Sequence, residues 1–173
     1  MVNKFPSEIL VRRGRLGDEN GIIEMQKSGL KMKNWIYTGV NQATRTRKIR
    51  EKFRARNPDS YAFVAIDREK NKLVGSVAFS FRRSGRLRHR IDLGWGVHPD
   101  YQGRGIATRL LNEALKFAKS KGFKRAEAEM AIKNLNSWKL ARKCGFKIEG
   151  IKKKALLTDD GKYVDTYIVG KLL

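Results

Sequence analysis

The chain has 173 residues, and 40% of them are hydrophobic, so it is long enough to bury the core of one domain. Its charge is unusual, because 39 Lys and Arg residues against 17 Asp and Glu residues give a formal net charge of +22. Such an excess favours an anionic partner, for example a phosphate-bearing cofactor, nucleic acid, a ribonucleoprotein or an acidic protein, and it disfavours polyamine substrates.

The sequence contains no apolar run that approaches the roughly 18 residues of a membrane helix. Residues 1–10 do not resemble a secretory signal, and Cys144 is the only cysteine, which rules out an internal disulfide bond. We therefore expect a cytoplasmic protein that has no contact with a membrane.

The first half of the chain alternates between predicted strands and helices. Residues 9–11 predict a short strand, and Asp18 is a candidate cap for a helix with apolar residues at helical spacing. Residues 44–56 predict a second, arginine-rich helix that ends at a turn over residues 57–59. Two strands, over residues 61–66 and 73–81, predict a hairpin, and residues 82–88 form a basic loop around Gly85.

The second half predicts strand, helix, strand, helix and a final hairpin. The strand at residues 91–97 is interrupted by Gly94 and Gly96. An amphipathic helix follows and ends at Gly122, and its apolar positions are Ala107, Leu110, Leu111, Ala114, Leu115 and Ala118. Later elements are a strand (125–131), a helix (137–144) that ends at Gly145, and two strands (147–151 and 163–170). This order predicts a single α+β domain over residues 1–173 with a mixed sheet.

Residues 102–108, Gln-Gly-Arg-Gly-Ile-Ala-Thr, lie between a predicted strand and a predicted helix. The glycines allow a ligand to approach the backbone, and the helix start presents free N–H groups with the positive end of its dipole. This arrangement predicts an anion site. A dinucleotide site, with Glu127 or Glu129 on the ribose, is the alternative ligand site, and a plain tight turn is the structural alternative.

The run at residues 97–107, Val-His-Pro-Asp-Tyr-Gln-Gly-Arg-Gly-Ile-Ala, resembles the acetyl-CoA signature of the GNAT (GCN5-related N-acetyltransferase) superfamily. Residues 134–137 (Asn-Leu-Asn-Ser), 143–146 (Lys-Cys-Gly-Phe) and 149–150 (Glu-Gly), with Asp165 and Tyr167, are similar to the branch of ribosomal-protein N-terminal acetyltransferases. The resemblance implies the GNAT fold, a mostly antiparallel mixed sheet with splayed central strands and flanking helices.

The resemblance also implies where acetyl-CoA binds. The strand at Val97 would hydrogen-bond the pantetheine arm, Gly94 and Gly96 would suit the gap beside it, and Asn134 would reach the pantetheine or the thioester. The pyrophosphate would lie against the backbone of Gln102, Gly103, Arg104, Gly105, Ile106 and Ala107 and the hydroxyl of Thr108. No metal is expected, because His89 and His98 have no ligand spacing.

Two residues are candidates for catalysis. Asp92 occupies the strand position where relatives carry a glutamate, so it is a candidate base acting through water; an ion pair with Arg90 or another arginine is its alternative role. Ser137 is the candidate acid for the leaving thiolate, and a helix N-cap is its alternative role. The tyrosine that many family members use is replaced here by Ala141, which leaves Tyr101 and Tyr167 as weaker candidates.

The leading hypothesis is an N-acetyltransferase that transfers the acetyl group of acetyl-CoA to a primary amine on a protein N-terminus, a lysine or a small molecule. The alternative is an inactive protein of the same fold that binds nucleic acid or the ribosome through basic clusters at residues 45–56 and 82–90. The charge favours a protein or ribonucleoprotein acceptor with an anionic surface. The sequence does not indicate the oligomeric state or the identity of the acceptor.

Overall fold

The computed structural model describes residues 5–30, 60–81 and 85–173. The strands are β1 (Ile9–Arg13), β2 (Ser60–Asp67), β3 (Lys72–Phe81), β4 (Arg90–Val97), β5 (Arg125–Ala131), β6 (Lys147–Leu157) and β7 (Tyr163–Leu172). The helices are α1 (Glu19–Leu30), α2 (Ile106–Ser120) and α3 (Leu135–Lys143), and a 3-10 turn spans Pro99–Tyr101. The predicted helix at residues 44–56 and the turn after it lie outside the described residues.

All strands of the described ranges form one sheet in the order β1-β2-β3-β4-β5-β7-β6. The only parallel pair among them is β4 with β5, which is aligned from Arg90↔Arg125 to Leu93↔Ala128 and then stops, although both strands continue. β4 remains paired with β3 as far as Val97, and β5 remains paired with β7 as far as Ala131. The predicted α+β class, mixed sheet and splayed central strands are therefore confirmed.

Helix α2 packs against one face of the sheet, and the main hydrophobic core lies between them. Its predicted apolar stripe is buried except at Ala107, which is partly exposed. The side chains of Leu110, Leu111, Ala114 and Ala118 have no exposed surface. Arg109, Lys116 and Lys119 lie on the opposite, solvent-facing side. The helix is followed by Gly122 in the left-handed conformation (φ 84°), which confirms the predicted end.

Helix α1 covers the other face through a small cluster of Ile22, Met25, Val64 and Leu73. Asp18 precedes the helix, and its carbonyl oxygen accepts a hydrogen bond from the N–H of Ile22 (3.1 Å). The Asp18 side chain instead accepts from the guanidinium of Arg12 and the N–H of Arg15. The predicted cap position is therefore correct, but the carboxylate fastens β1 to the helix start.

Helix α3 differs from its prediction, because it begins at Leu135 rather than Ser137. Asn134 is its N-cap, since its side-chain oxygen accepts from the N–H of Ser137 (3.1 Å). The alternative role of Ser137 as the cap is therefore wrong. Both residues are good caps, and the sequence pattern alone did not separate them.

Strand β6 is also longer than predicted and extends to Leu157. It is the edge of the sheet and nearly all of its side chains are exposed, so hydrophobic alternation does not mark its end. A bulge at Lys154, with φ 51°, interrupts the pairing with β7. The Asp165 carboxylate holds this bulge by accepting from the N–H of Lys154 (2.8 Å).

No helix within the described ranges is long and apolar enough to cross a membrane.

We expect Gly21→Ala to lower stability although alanine favours helices by about 1 kcal/mol over glycine. A Cβ atom at Gly21 would lie 2.8 Å from the Cβ of Leu73, an atom that cannot move without its backbone, so α1 would have to shift away from β3. Overpacking costs about 1–3 kcal/mol, which outweighs the propensity gain. Urea denaturation measures the change, with exposed Lys27→Ala as the control. A variant more stable than the wild type would contradict this close packing.

Candidate active site

A cleft of about 1190 Å³ runs between the parted ends of β4 and β5 and along the start of α2. The residues that the sequence singled out as leading candidates for the cofactor and for catalysis all line it, whereas the weaker candidate Tyr167 does not. These leading candidates are Asp92, Val97, Gln102, Gly103, Arg104, Gly105, Ile106, Ala107, Thr108, Asn134 and Ser137. The structure thus brings together residues from a strand, a loop and the starts of two helices.

The loop before α2 presents a row of free backbone donors. The first bond of the helix runs from the N–H of Arg109 to the carbonyl of Gly105 (3.0 Å), and Gly105 carries no side-chain cap. In the described part of the chain we find no acceptor for the N–H groups of residues 103–108. Gly103 and Gly105 have φ 78°, and a Cβ on either would point into open space. This loop fits a pyrophosphate.

A buried hydrogen bond holds the loop on the sheet. The hydroxyl of Tyr101 donates to the carboxylate of Asp67 (2.7 Å) at the end of β2. This bond lowers the pKa of Asp67 and raises that of Tyr101, and Asp67 also accepts from the N–H groups of Glu69 and Lys70. Arg104 stacks over the Tyr101 ring at 5.0 Å. Because its proton is engaged here, Tyr101 is not placed to act as the acid.

Beyond Leu93 the side of β4 that faces β5 has no strand partner. Gly94 and Gly96 in this segment carry no side chains. The carbonyl of Val97 accepts a long hydrogen bond (3.4 Å) from the exposed side chain of Gln102. Backbone groups without partners are costly unless water or a ligand satisfies them. An extended ligand with amide groups, such as a pantetheine arm, fits this edge.

Asp92 lies in the cleft at the level where β4 and β5 part. Its side chain is exposed, and no ion-pair partner is found for it among the described residues. The predicted alternative partner, Arg90, binds Glu127 instead (3.2 Å). Glu127 also binds Arg125 (2.6 Å), so its charge is compensated whereas that of Asp92 is not.

Ser137 lines the same cleft from the first turn of α3. Its backbone is held by the Asn134 cap, and no partner of its hydroxyl is found in the described ranges. Ala141 lies on the buried face of this helix, so its side chain offers no group in place of the tyrosine that many GNAT enzymes use. Tyr167 is partly buried against Trp138, with ring centroids 6.0 Å apart.

Sequence reasoning missed several residues of the cleft on the α1 side. Gln26 lines it, and its side-chain oxygen is buried without a hydrogen-bond donor. Lys152 also lines it and forms an ion pair (2.8 Å) with Glu129, which the sequence had suggested only as a possible ribose ligand. A signal for Gln26 was available, because it follows Ile22 by one helical turn and so is a polar residue on the buried face of α1.

Residues 30–146 match the family model described as the acetyltransferase (GNAT) family, which covers more than half of the chain. The chain belongs to the GNAT acetyltransferase family. The predicted membership of the GNAT superfamily is therefore confirmed. The chain is 30% identical over 101 residues to L-amino acid N-acetyltransferase AaaT of Escherichia coli (strain K12). That alignment covers 58% of this chain and 62% of AaaT, less than two thirds of its length.

Solved structures of this family share the fold. The ribosomal-protein-S5-alanine acetyltransferase from Vibrio fischeri superimposes with a TM-score of 0.81 at 21% identity, over 96% of this chain and 94% of that one. The structure of yncA from Salmonella typhimurium with its cofactor acetyl-CoA gives a TM-score of 0.82 at 21% identity, over 96% of this chain and 95% of that one. The resemblance to GNAT enzymes is confirmed, and the ribosomal-protein branch is one of several similar groups.

We expect Gly105→Asn to weaken CoA binding by about tenfold or more, because its side chain would occupy the open space before the helix start. Asparagine tolerates the left-handed conformation, so the fold should be retained, whereas valine at φ 78° would also strain the backbone. Gly161→Asn is the matched control, since Gly161 has φ 77° and open space in a remote turn. Calorimetry with CoA measures the effect. Near-normal affinity in Gly105→Asn would overturn the placement of the pyrophosphate.

Proposed function

We propose that this enzyme acetylates a primary amine that enters the cleft from the α1 side and reaches the thioester beside Asp92. One observation carries the proposal, namely that Asp92 is a carboxylate without an ion-pair partner in the described part of the chain, at the point where the central strands part. Its neighbour Glu127 is bound by two arginines. A structural acid would share that kind of compensation, and Asp92 does not.

Acetyl-CoA supplies a thioester carbonyl, which a neutral amine attacks so that a C–N bond forms as the C–S bond breaks. The N–H groups of residues 103–108 would hold its pyrophosphate, and the free edge of β4 up to Val97 would hold its pantetheine arm. Asp92 accepts the proton of the amine, directly or through water. The hydroxyl of Ser137 lies in the same cleft and would protonate the departing sulfur.

An α-amine is the acceptor that this site serves best. At pH 7 an α-amine with a pKa near 8 is neutral in about one molecule in ten, against about one in 2,500 for a lysine with a pKa near 10.4. A single exposed carboxylate is a modest base, so an amine that deprotonates easily suits it. The names of two relatives agree, since one is an L-amino acid N-acetyltransferase and another acts on the alanine of a ribosomal protein.

The alternative of an inactive binding protein is not favoured, because the cleft keeps the cofactor loop, the free strand edge and an unpaired carboxylate together. A protein that only used its basic surface would have no need of them.

We expect Asp92→Asn to lower kcat by about 10²-fold while CoA affinity and thermal stability stay unchanged. The loss should shrink as pH rises, because a growing fraction of the amine is then neutral without help. The measurement is a pH profile of kcat and kcat/KM with a peptide N-terminus as acceptor. A loss that is independent of pH and comes with a lower melting temperature would show that Asp92 is structural.

The charge of the whole chain bears on the acceptor's surroundings. A net charge of +22 repels free polyamines and attracts an amine carried on an anionic body. Parts of the basic clusters, residues 45–56 and 82–84, lie outside the described ranges. Because the net charge attracts an anionic body, the acceptor should be a protein N-terminus near acidic residues, or one within a ribonucleoprotein.

We expect kcat/KM to be highest for an N-terminal peptide with acidic residues, lower for one with basic residues and lowest for spermidine. The two peptides share their first three residues, so that only the distant charge differs. Added salt should reduce the difference in kcat/KM between the acidic and the basic peptide, because salt screens exposed charges beyond about 10 Å. Preference for spermidine or for the basic peptide would contradict an anionic partner.

A further inference from the structure

The basic side chains of the cleft are divided unequally between its two sides. Within the described ranges five of them line it, namely Arg104, Arg109, Lys139, Lys143 and Lys152. The first four lie at the start of α2 or on α3, two helices that contribute to the same core on one face of the sheet. The fifth, Lys152, belongs to strand β6 and is the only one of the five that lies on the sheet itself.

The register of the central strands places Glu129 on the same side of the sheet as Asp92. Asp92 is aligned with Glu127, and Glu129 lies two residues further along β5, so the three carboxylates share one face. That face is covered by α1, since a Cβ on Gly96, which is further along β4 on the same side, would lie 3.6 Å from the terminal methyl of Met25. Glu129 therefore belongs to the side from which the acceptor is proposed to enter.

Glu129 holds Lys152 on this side of the cleft. The hydroxyl of Thr166, which is fully buried, donates to one Glu129 oxygen (2.5 Å), and the ammonium group of Lys152 donates to the other (2.8 Å). An ammonium group has three N–H donors, so this contact leaves two of them for other acceptors. The Lys152 side chain is 52% exposed, so a ligand in the cleft can reach it.

Asp92 and Lys152 offer opposite charges to an acceptor on one side of the cleft. Sheet geometry separates the backbones of Asp92 and Glu129 by about 8 Å, because they are one strand spacing of about 4.8 Å and two residues of about 3.3 Å each apart. In an extended peptide the α-amine and the side-chain carboxylate of the second residue are also about 8 Å apart. A carboxylate on the side chain of the first residue is too close to the amine to span this distance.

We propose that Lys152 donates to the carboxylate of an acidic second residue while the α-amine of the first residue is held at Asp92, so that the enzyme selects N-termini with an acid at the second position. This rests on the proposed amine acetylation. It differs from the long-range effect of the net charge, because the preference depends on where the acid lies and not on how many acids the acceptor carries. Glu129 and Thr166 are positioning residues, since they hold the ammonium group and act through it.

The test compares two C-terminally amidated peptides of one composition, Ala-Glu-Gly-Gly-Gly-Gln and Ala-Gln-Gly-Gly-Gly-Glu. They have the same net charge and differ only in the position of one side-chain carboxylate. We expect the wild type to favour the first peptide about fivefold in kcat/KM, the upper range for a partly exposed ion pair. The preference should lie in KM, because the carboxylate is remote from the reacting atoms and is bound equally in the ground state and the transition state.

Lys152→Met should remove the preference, whereas the neighbouring Lys153→Met should retain it. Lys153 is the matched control, because it is also exposed and paired with a carboxylate, Asp165 (2.9 Å), but does not line the cleft. Both variants lose one positive charge, so the long-range field changes equally in the two. A difference in amine pKa between the peptides cancels when the ratio of each variant is compared with that of the wild type. A Lys152→Met enzyme that keeps the wild-type ratio would overturn the proposal.

A double variant separates substrate recognition from charge compensation. If Lys152 only neutralises Glu129, the variant Glu129→Gln/Lys152→Met will regain the wild-type ratio, and the proposal is wrong. If Lys152 binds the acceptor, the double variant will stay without preference. Melting temperature and CoA affinity should be the same in Lys152→Met and Lys153→Met, because exposed ion pairs contribute little to stability. Weaker CoA binding in Lys152→Met alone would assign Lys152 to the cofactor site instead.

Failure of this proposal differs from failure of the proposed function. If neither peptide is acetylated although CoA binds, acetylation of an α-amine is itself wrong, and the role of Lys152 falls with it. If the wild type acetylates both peptides without preference, the amine reaction stands and only the role of Lys152 is wrong.

Discussion

The early end of the β4–β5 pairing is the constraint on which the site depends. The two strands are parallel neighbours up to Leu93 and Ala128, and each then follows its other neighbour. Arg125 fastens the closed end, because it binds Glu127 on its own strand and Glu149 on β6, a contact that also lowers the pKa of Glu149. The gap is held open by ordinary sheet hydrogen bonds on both outer sides, so it does not depend on a ligand.

The gap joins two faces of the sheet that have different chemistry. On one face α2 buries an apolar stripe and directs its unpaired N–H groups to the cleft, which suits the phosphates of a cofactor. On the other face α1 packs over the glycines of β4, and the exposed carboxylate of Asp92 lines the cleft. In the proposed reaction the anionic cofactor and the amine therefore approach from opposite sides and meet where the strands part. The hydrogen bond between Tyr101 and Asp67 ties the loop at residues 102–108 to the end of β2.

Local patterns in the sequence were enough for the parts of this arrangement that rest on short segments. The glycines of the loop, the apolar stripe of α2 and the strand at Arg125–Ala131 follow from spacing alone. Pairing was beyond such reasoning, because Asp92 and Glu127 are brought side by side by a parallel crossover, and only the fold shows which of them Arg90 neutralises. The Gln26 oxygen escaped for a similar reason, since its lack of a donor is a property of the packed cleft and not of the helix sequence.

The basic surface and the carboxylate of Asp92 act over different distances, which resolves an apparent conflict. A net charge of +22 opposes the approach of a cationic amine, yet the carboxylate of Asp92 in the cleft attracts a hydrogen-bond donor. Screening limits each exposed charge to about 10 Å at 0.1 M salt, so the surface acts on whatever body carries the amine. Within the cleft the few groups in direct contact with the amine determine its binding, because water no longer screens them fully. A substrate that is anionic as a whole and a donor at its tip satisfies both, whereas a small free cation satisfies only the second.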